Sequence, residues 1–395
     1  MFLTLAGLSS SVWRLSSLLR LAAVTFVLGL VCAAAAPGVW YLVLGRALEG
    51  FGAGINLVTM YLVIVRYYPS SARPRMFAAV ASAWVVPSLA GPAVAGLLAT
   101  HVSWRATFAL AAAFEVLAAV VTLRRLGSMP STAGRWRKTT LVWAGVAALR
   151  IGIVQVRLGD ATAVLAVTVP FGLVVALVGA KRILPAGTFE LRGHSPSLIA
   201  TRGLLGAAFM TGEWIPLMLI RNYHFSPFHA GLLLSAGATG WAVGAFLQSR
   251  LGTAQRGSHL RLTGIVAGAF TLFLALAGLA LFSALHLPIF VLVTAWIAAG
   301  MATGCSFACV AVMAFESAVP ESHGVFAAGL QLSDAVLTAI TLACAGVVFR
   351  VLIAGHPTGN VPFTAIFLGG AGLSLLATFC AVRAHRQFPF VRYPT

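Results

Sequence analysis

Charge is what this chain has least of. Of its 395 residues only 9% are charged, eight are acidic, and just two of the 26 basic residues are lysine. A soluble surface carries about 25% charged residues. A soluble enzyme is therefore excluded, and so is a nucleic-acid binder, despite the formal net charge of +18. Cysteine is scarce as well. Cys32, Cys305, Cys309, Cys344 and Cys380 all fall in apolar runs and read as small packing residues, which excludes a disulfide scaffold. Cys305 and Cys309 stand four apart, yet no histidine accompanies them, and the nine histidines show no metal-ligand spacing. Walker A, nucleophile-elbow and HExxH patterns are missing, so neither an ATP-driven pump nor a membrane protease is expected. No metal and no cofactor is expected.

What is abundant is apolar sequence: 60% of residues are hydrophobic and the mean hydropathy is +0.98. Long apolar runs without period-2 alternation predict membrane-spanning helices, whose backbone polar groups are satisfied internally. Twelve runs are long enough, at about 17–36, 39–66, 77–100, 106–124, 139–158, 161–180, 197–220, 228–249, 261–285, 287–314, 324–350 and 361–383. The connections alternate in charge. Nineteen basic residues fall on one side, from Arg14 and Arg20 through Arg135, Arg137 and Lys138 to Arg383, Arg386 and Arg392. Four fall on the other (Arg105, Arg157, Arg221, Arg350), and three (Arg46, Arg150, Arg202) lie within or at the edge of runs. Basic loops stay cytoplasmic, so the expectation is a multi-pass plasma-membrane protein with a cytoplasmic C-terminus and basic ends against anionic lipid. Trp40 and Trp104 fall where an outer aromatic belt belongs, and Tyr67 and Tyr68 where an inner one does. The apolar stretch Met1–Leu8 is too short to span. It lacks the basic region and cleavage site of a signal peptide, and it reads as the last turns of a helix.

Polar residues inside the runs are few enough to weigh singly. In LGRALEGFGAG (Leu44–Gly54), Arg46 and Glu49 are three apart and can pair on one helical face. An arginine at mid-span costs about 2.5–3.5 kcal/mol, so the pair is either a structural ion pair or part of a proton-linked pathway. Gly50 and Gly54 make a GxxxG that predicts close helix packing. In VVPSLAGPAVAG (Val85–Gly96), Pro92 removes a backbone hydrogen bond, and Gly91 and Gly96 flank it, as in a hinge. Four acids lie well inside runs: Glu49, Glu115, Glu213 and Asp334. An ionised carboxylate is costly in a low-dielectric interior, so such a group can take up a proton in the working pH range. Glu213 sits beside Trp214 and Pro216, and Asp334 among Gln331, Ser333 and Thr338. Glu115 has no polar neighbour in sequence.

These motifs resemble the major facilitator superfamily. RALEGFGAG is similar to its fourth-helix Arg-x-x-Gln-Gly-x-Gly motif, with Glu49 for Gln. AGPAVAG followed by SWRATF (Ser103–Phe108) is similar to the fifth-helix motif and sixth-helix start of its drug:proton antiporters. TGEWIPLML (Thr211–Leu219), HAGLLLSAGATGWAVGAFLQSRL (His229–Leu251) and AAGLQLSDAVLTA (Ala327–Ala339) resemble the second half of actinobacterial members. The runs 139–158 and 161–180 are similar to the two extra central helices of the fourteen-helix branch. The resemblance implies an all-α polytopic fold of two bundles. Residues 1–126 would form an N-terminal bundle without its first helices, 127–194 a cytoplasmic loop with two accessory helices, and 195–395 a six-helix C-terminal bundle. It implies a monomeric, non-enzymatic secondary transporter that exports small amphipathic or cationic compounds against protons. Arg46, Glu49, Glu213 and Asp334 are the coupling or pathway candidates, and Gly50, Gly54, Gly91, Pro92 and Gly96 the hinge or packing ones. The family's conserved cytoplasmic loop has only an acid-free counterpart here, Gly7–Arg14, and the family's first helices have none. A non-transporting remnant or membrane scaffold is the alternative expectation.

Overall fold

The structure, a computed structural model, describes residues 15–68, 73–126, 188, 190, 191, 193–249, 255–316, 323–355 and 359–388. Every regular element among them is helical: α1 (Leu15–Ala34), α2 (Val39–Tyr67), α3 (Arg73–His101), α4 (Trp104–Leu126), α5 (His194–Phe209), a 3-10 turn (Met210–Trp214), α6 (Ile215–Asn222), α7 (Pro227–Ser249), α8 (Gln255–Leu285), α9 (Ile289–Glu316), α10 (His323–Gly355) and α11 (Val361–Arg386). With α5, the turn and α6 taken as one interrupted span, ten of the twelve apolar runs coincide with helices. The other two, 139–158 and 161–180, lie outside the described residues, as does Arg150. Eight spans are long and apolar enough to cross a membrane. The remaining two, α2 and α3, are 29 residues each, about 44 Å at 1.5 Å per residue. The protein is a multi-pass, all-helical membrane protein. The helix α3 runs unbroken through Pro87 and Pro92.

The described chain divides into two compact units, residues 1–140 with 225–232 and residues 141–224 with 233–395. In the first, α1 and α2 approach so closely that side chains are excluded from the seam. A Cβ at Gly45 would lie 2.7 Å from the Gly29 carbonyl oxygen, and one at Gly52 2.6 Å from that of Ala22. Between lipid-facing helices there is little hydrophobic gain from association, so such small-residue contacts do the packing. Gly45 and Gly52 are seven residues apart, about two turns, and share a face. Gly50 lies about 140° away from Gly45 on the helical wheel, and a Cβ there would meet nothing within 4 Å. Leu18, Ala22 and Ile55 close the seam with Phe51. Arg105 at the start of α4 donates from Nη2 to Ala36 O (2.8 Å) and lies over the Trp104 ring. On α3, a Cβ at Gly96 would strike Pro227 and Phe228, and one at Gly231 would strike the Pro92 carbonyl.

In the second unit, α7 and α9 pack backbone to backbone. Added methyls at Gly240 and Gly244 would collide with the carbonyls of Ile297 and Met301, and one at Gly304 with that of Trp241. Leu198, Ile199, Leu262, Ile265, Val310, Met313 and Ala381 form a buried cluster joining α5, α8, α9 and α11. One end is tied by His194, whose Nδ1 donates to Ala384 O at 2.8 Å. There too, Arg383 Nε and Gln387 Nε2 donate to Leu191 O at 3.0 and 3.3 Å. Leu191 (φ 52°) and Gly193 (φ 100°) turn the chain into α5 through left-handed conformations.

The opposite end is tied by Asn360, which is buried. Its Oδ1 accepts from Asn222 Nδ2 at 2.5 Å. Its own amide faces three acceptors: Ser283 O at 2.8 Å, Tyr223 Oη at 3.2 Å and His286 Nε2 at 3.3 Å. Burial pushes the Tyr223 phenol up from its ordinary value, against the pull of the Asn360 hydrogen bond. One amide thus joins the ends of α6, α8 and α11. Asn360→Ala takes the donor from the Ser283 carbonyl and two other acceptors and the acceptor from the Asn222 amide, and it is expected to cost about 2–4 kcal/mol. Thermal unfolding of the detergent-solubilised protein reads that loss, and an unchanged midpoint would show the amide to be dispensable.

Candidate functional site

Among the described residues, two acids inside the spans have a cation acting on them, one in each unit. In the first unit, Arg46 Nη1 and Glu49 Oε2 pair at 2.5 Å. The pairing reflects the i,i+3 spacing, but the partners point differently. Glu49 is about 40° from Gly45 on the helical wheel and Arg46 about 100°. Glu49 therefore turns into the α1–α2 seam, with its side chain 7% exposed, while that of Arg46 is 62% exposed. A Cβ at Gly29 would meet Glu49 N at 2.5 Å and Glu49 Cγ at 2.9 Å, so Gly29 makes the room that Glu49 fills. Glu49 Oε2 takes the guanidinium, and Oε1 is buried with no hydrogen-bond partner among the described residues. Such an atom is satisfied by a proton or by a rearrangement that brings it a donor.

The second unit holds Asp334. It stands on α10, and a Cβ at Gly206 of α5 would collide with its Oδ1, just as one at Gly203 would collide with Ser333. The charge acting on Asp334 is that of Arg202, one turn before Gly206. Arg202 lies with its Cζ 3.8 Å above the Phe307 ring centroid. Its Nη1 donates to Phe307 O at 3.2 Å. The far edge of that ring, Cζ, stands 3.3 Å from the Cβ position of Gly206. Acid, ring and guanidinium thus surround a single turn of α5.

An aromatic row continues from Phe307. Trp241 meets it edge-on at 4.9 Å, and Phe209 meets Trp241 edge-on at 5.3 Å. Phe209 stacks on Trp296 at 4.7 Å, with the planes 9° apart. Trp296 Nε1 donates to Leu234 O, and added methyls at Gly212 or Gly237 would strike its ring. This row is apolar and polarisable, and both Asp334 and the Arg202 guanidinium stand at its Phe307 end.

The other sequence candidates are placed as follows. Glu213 lies in the 3-10 turn between α5 and α6 and is exposed. Glu115 is half-buried on α4. Gly91 has open space around it, like Gly50, whereas Gly96 is packed. Gly54 lies within α2, half-buried. Sequence reasoning left Arg202 at the edge of a run and missed the aromatic row. The small residues Gly203 and Gly206 beside Arg202 were the available signal, since they mark where another helix comes close.

The described chain is thus a polytopic helical membrane protein with acids and cations inside its spans. The chain belongs to the Major Facilitator Superfamily, whose family profile matches residues 1–341. It is similar to a protein of Mycobacterium tuberculosis (strain H37Rv) named as a multidrug-efflux transporter, with 28% identity over 396 residues, 95% of this chain and 82% of that protein. It is also similar to a transport protein of Haemophilus influenzae, HsrA, with 25% identity over 251 residues, 60% of this chain and 53% of that protein. A crystal structure of the peptide transporter POT shares the fold at TM-score 0.67 and 18% identity, covering 98% of this chain and 84% of that one. The chain is therefore a transporter of this superfamily, not an enzyme, and it handles small molecules.

Proposed function

We propose that the protein exports small amphipathic, mainly cationic compounds across the plasma membrane in exchange for protons. It works as a monomer with its C-terminus in the cytoplasm and its arginine-rich ends against anionic lipid. The domain plan is an N-terminal bundle (1–126), a loop with two accessory helices (127–194) and a C-terminal bundle (195–395) that alternate access to a central pathway. The observation that carries this reading is Asp334, an acid inside a span, set between a cation and an aromatic row. A proton or a cationic substrate would each neutralise it, and a group that accepts either one but not both is the minimal device for exchange. Glu49, with one oxygen paired and one unsatisfied, offers a second protonation site in the other unit. Glu213 is a further acid for the substrate path. Gly91 and Pro92 are the hinge candidates of α3, next to the packed Gly96, and Gly50 faces open space on α2, one turn before Gly54. The length of chain shared with the efflux relative supports transport over a silent scaffold.

Proteoliposomes with an imposed pH gradient test it. Ethidium or tetraphenylphosphonium is expected to move against the proton flow and to stop when a protonophore collapses the gradient. Flux indifferent to the gradient would overturn proton coupling.

A further inference from the structure

Three of the contacts of the Arg202 guanidinium do not depend on its being part of the chain. One is the open face of a ring, with Cζ 3.8 Å from the Phe307 centroid. The second is a single N–H donated to a backbone carbonyl, Nη1 to Phe307 O at 3.2 Å. The third is the field of Asp334. Any planar monocation bearing an N–H can make all three. Ring face, carbonyl and carboxylate come from two helices, α9 and α10, while the guanidinium reaches them from a third, α5, on a long flexible stem. Arg202 is only half-buried, so it is not sealed in place. Phe307 is 8% exposed and backed edge-on by Trp241. The ring is therefore desolvated, the condition under which cation–π attraction is largest.

From this we infer that Phe307, its carbonyl and Asp334 form a binding site for planar N–H organic cations of the guanidinium, amidinium or anilinium class, and that Arg202 is a tethered occupant which such a ligand displaces. The inference rests on the transport reading for its biological use, but the site itself is a matter of equilibrium binding. The chain's own guanidinium competes with the ligand. It keeps Asp334 paired when no ligand is present, and it moves along its stem when one enters. A permanently charged quaternary ammonium without an N–H makes the ring contact but not the carbonyl one, so it is the weaker ligand.

The test is binding of benzylguanidinium to the full chain in nanodiscs, at equilibrium and without any gradient. Arg202→Gln is expected to bind it about tenfold more tightly than the wild type, the effect of removing a competitor. Phe307→Leu is expected to bind it about tenfold more weakly, matching a desolvated cation–π contact. Phe307→Leu in the Arg202→Gln background is expected to erase the gain. Unchanged or weaker binding by a folded Arg202→Gln protein would overturn the inference and leave Arg202 as a structural group. Should Arg202→Gln fail to fold, Phe307→Leu decides alone, and wild-type affinity in that variant overturns the site. Failure of proton coupling would show instead as gradient-independent flux with these binding differences intact, so the two ideas fail separately.

Discussion

Replacing Asp334 by asparagine is expected to abolish uphill transport while leaving the protein folded. The side chain keeps its shape, so the close contact with Gly206 survives, but the charge and the exchangeable proton are gone. Each pH unit across the membrane is worth about 1.4 kcal/mol per proton, or a tenfold concentration ratio. With two units imposed and one proton exchanged, the wild type accumulates substrate to about 100-fold. The Asn variant should come to a ratio near one, with its downhill exchange no longer dependent on pH. A proton-binding step at Asp334 makes both losses coincide. Wild-type accumulation by the variant would place coupling elsewhere, and Glu49→Gln would then be the next measurement, because Glu49 Oε1 is an acidic oxygen buried in a span with no hydrogen-bond partner among the described residues.

Composition alone carried the class of fold, because lipid is a severe solvent. With so few charges, a chain this long has one way to satisfy its backbone, and the apolar runs coincide with the helices found among the described residues. The Arg46–Glu49 pair was legible for a similar reason, since i,i+3 spacing brings two side chains of one helix together whatever surrounds them. What was not legible is which face of that helix meets a neighbour. The GxxxG spacing identified Gly50 and Gly54, yet the seam with α1 runs through Gly45 and Gly52. Spacing reports that residues share a face, not where the face looks. By the same limit, the spacing pairs Arg46 with Glu49 without telling which of the two turns into the seam, and it is Glu49 that does. Arg202, Phe307 and Asp334 lie on three helices, separated by at least 27 residues of chain. No local pattern joins them, and only the tertiary packing of α5, α9 and α10 does.

The second large effect follows from that seam. Gly45→Ala and Gly50→Ala add the same methyl to the same helix five residues apart, so the change in helix propensity, about 1 kcal/mol in favour of alanine, is common to both. Only the surroundings differ. At position 45 the methyl would stand 2.7 Å from Gly29 O, 2.8 Å from Ala33 N and 3.1 Å from Ala33 Cβ, and two of these three are backbone atoms that cannot swing aside. At position 50 it enters open space. Relief at position 45 requires α1 and α2 to part, which also withdraws Gly29 from Glu49 and loosens the pocket that holds the carboxyl. Overpacking of this kind costs about 1–3 kcal/mol, more where backbone must move. Gly45→Ala is therefore expected to unfold at a clearly lower temperature than the wild type and to lose most of its transport. Gly50→Ala should match or slightly exceed the wild type in both. Unfolding of the two purified variants in one detergent, followed by tryptophan fluorescence, measures the difference directly. Equal midpoints would mean that α1 and α2 do not meet along the Gly29–Gly45–Gly52 line, and that the burial of Glu49 has another cause.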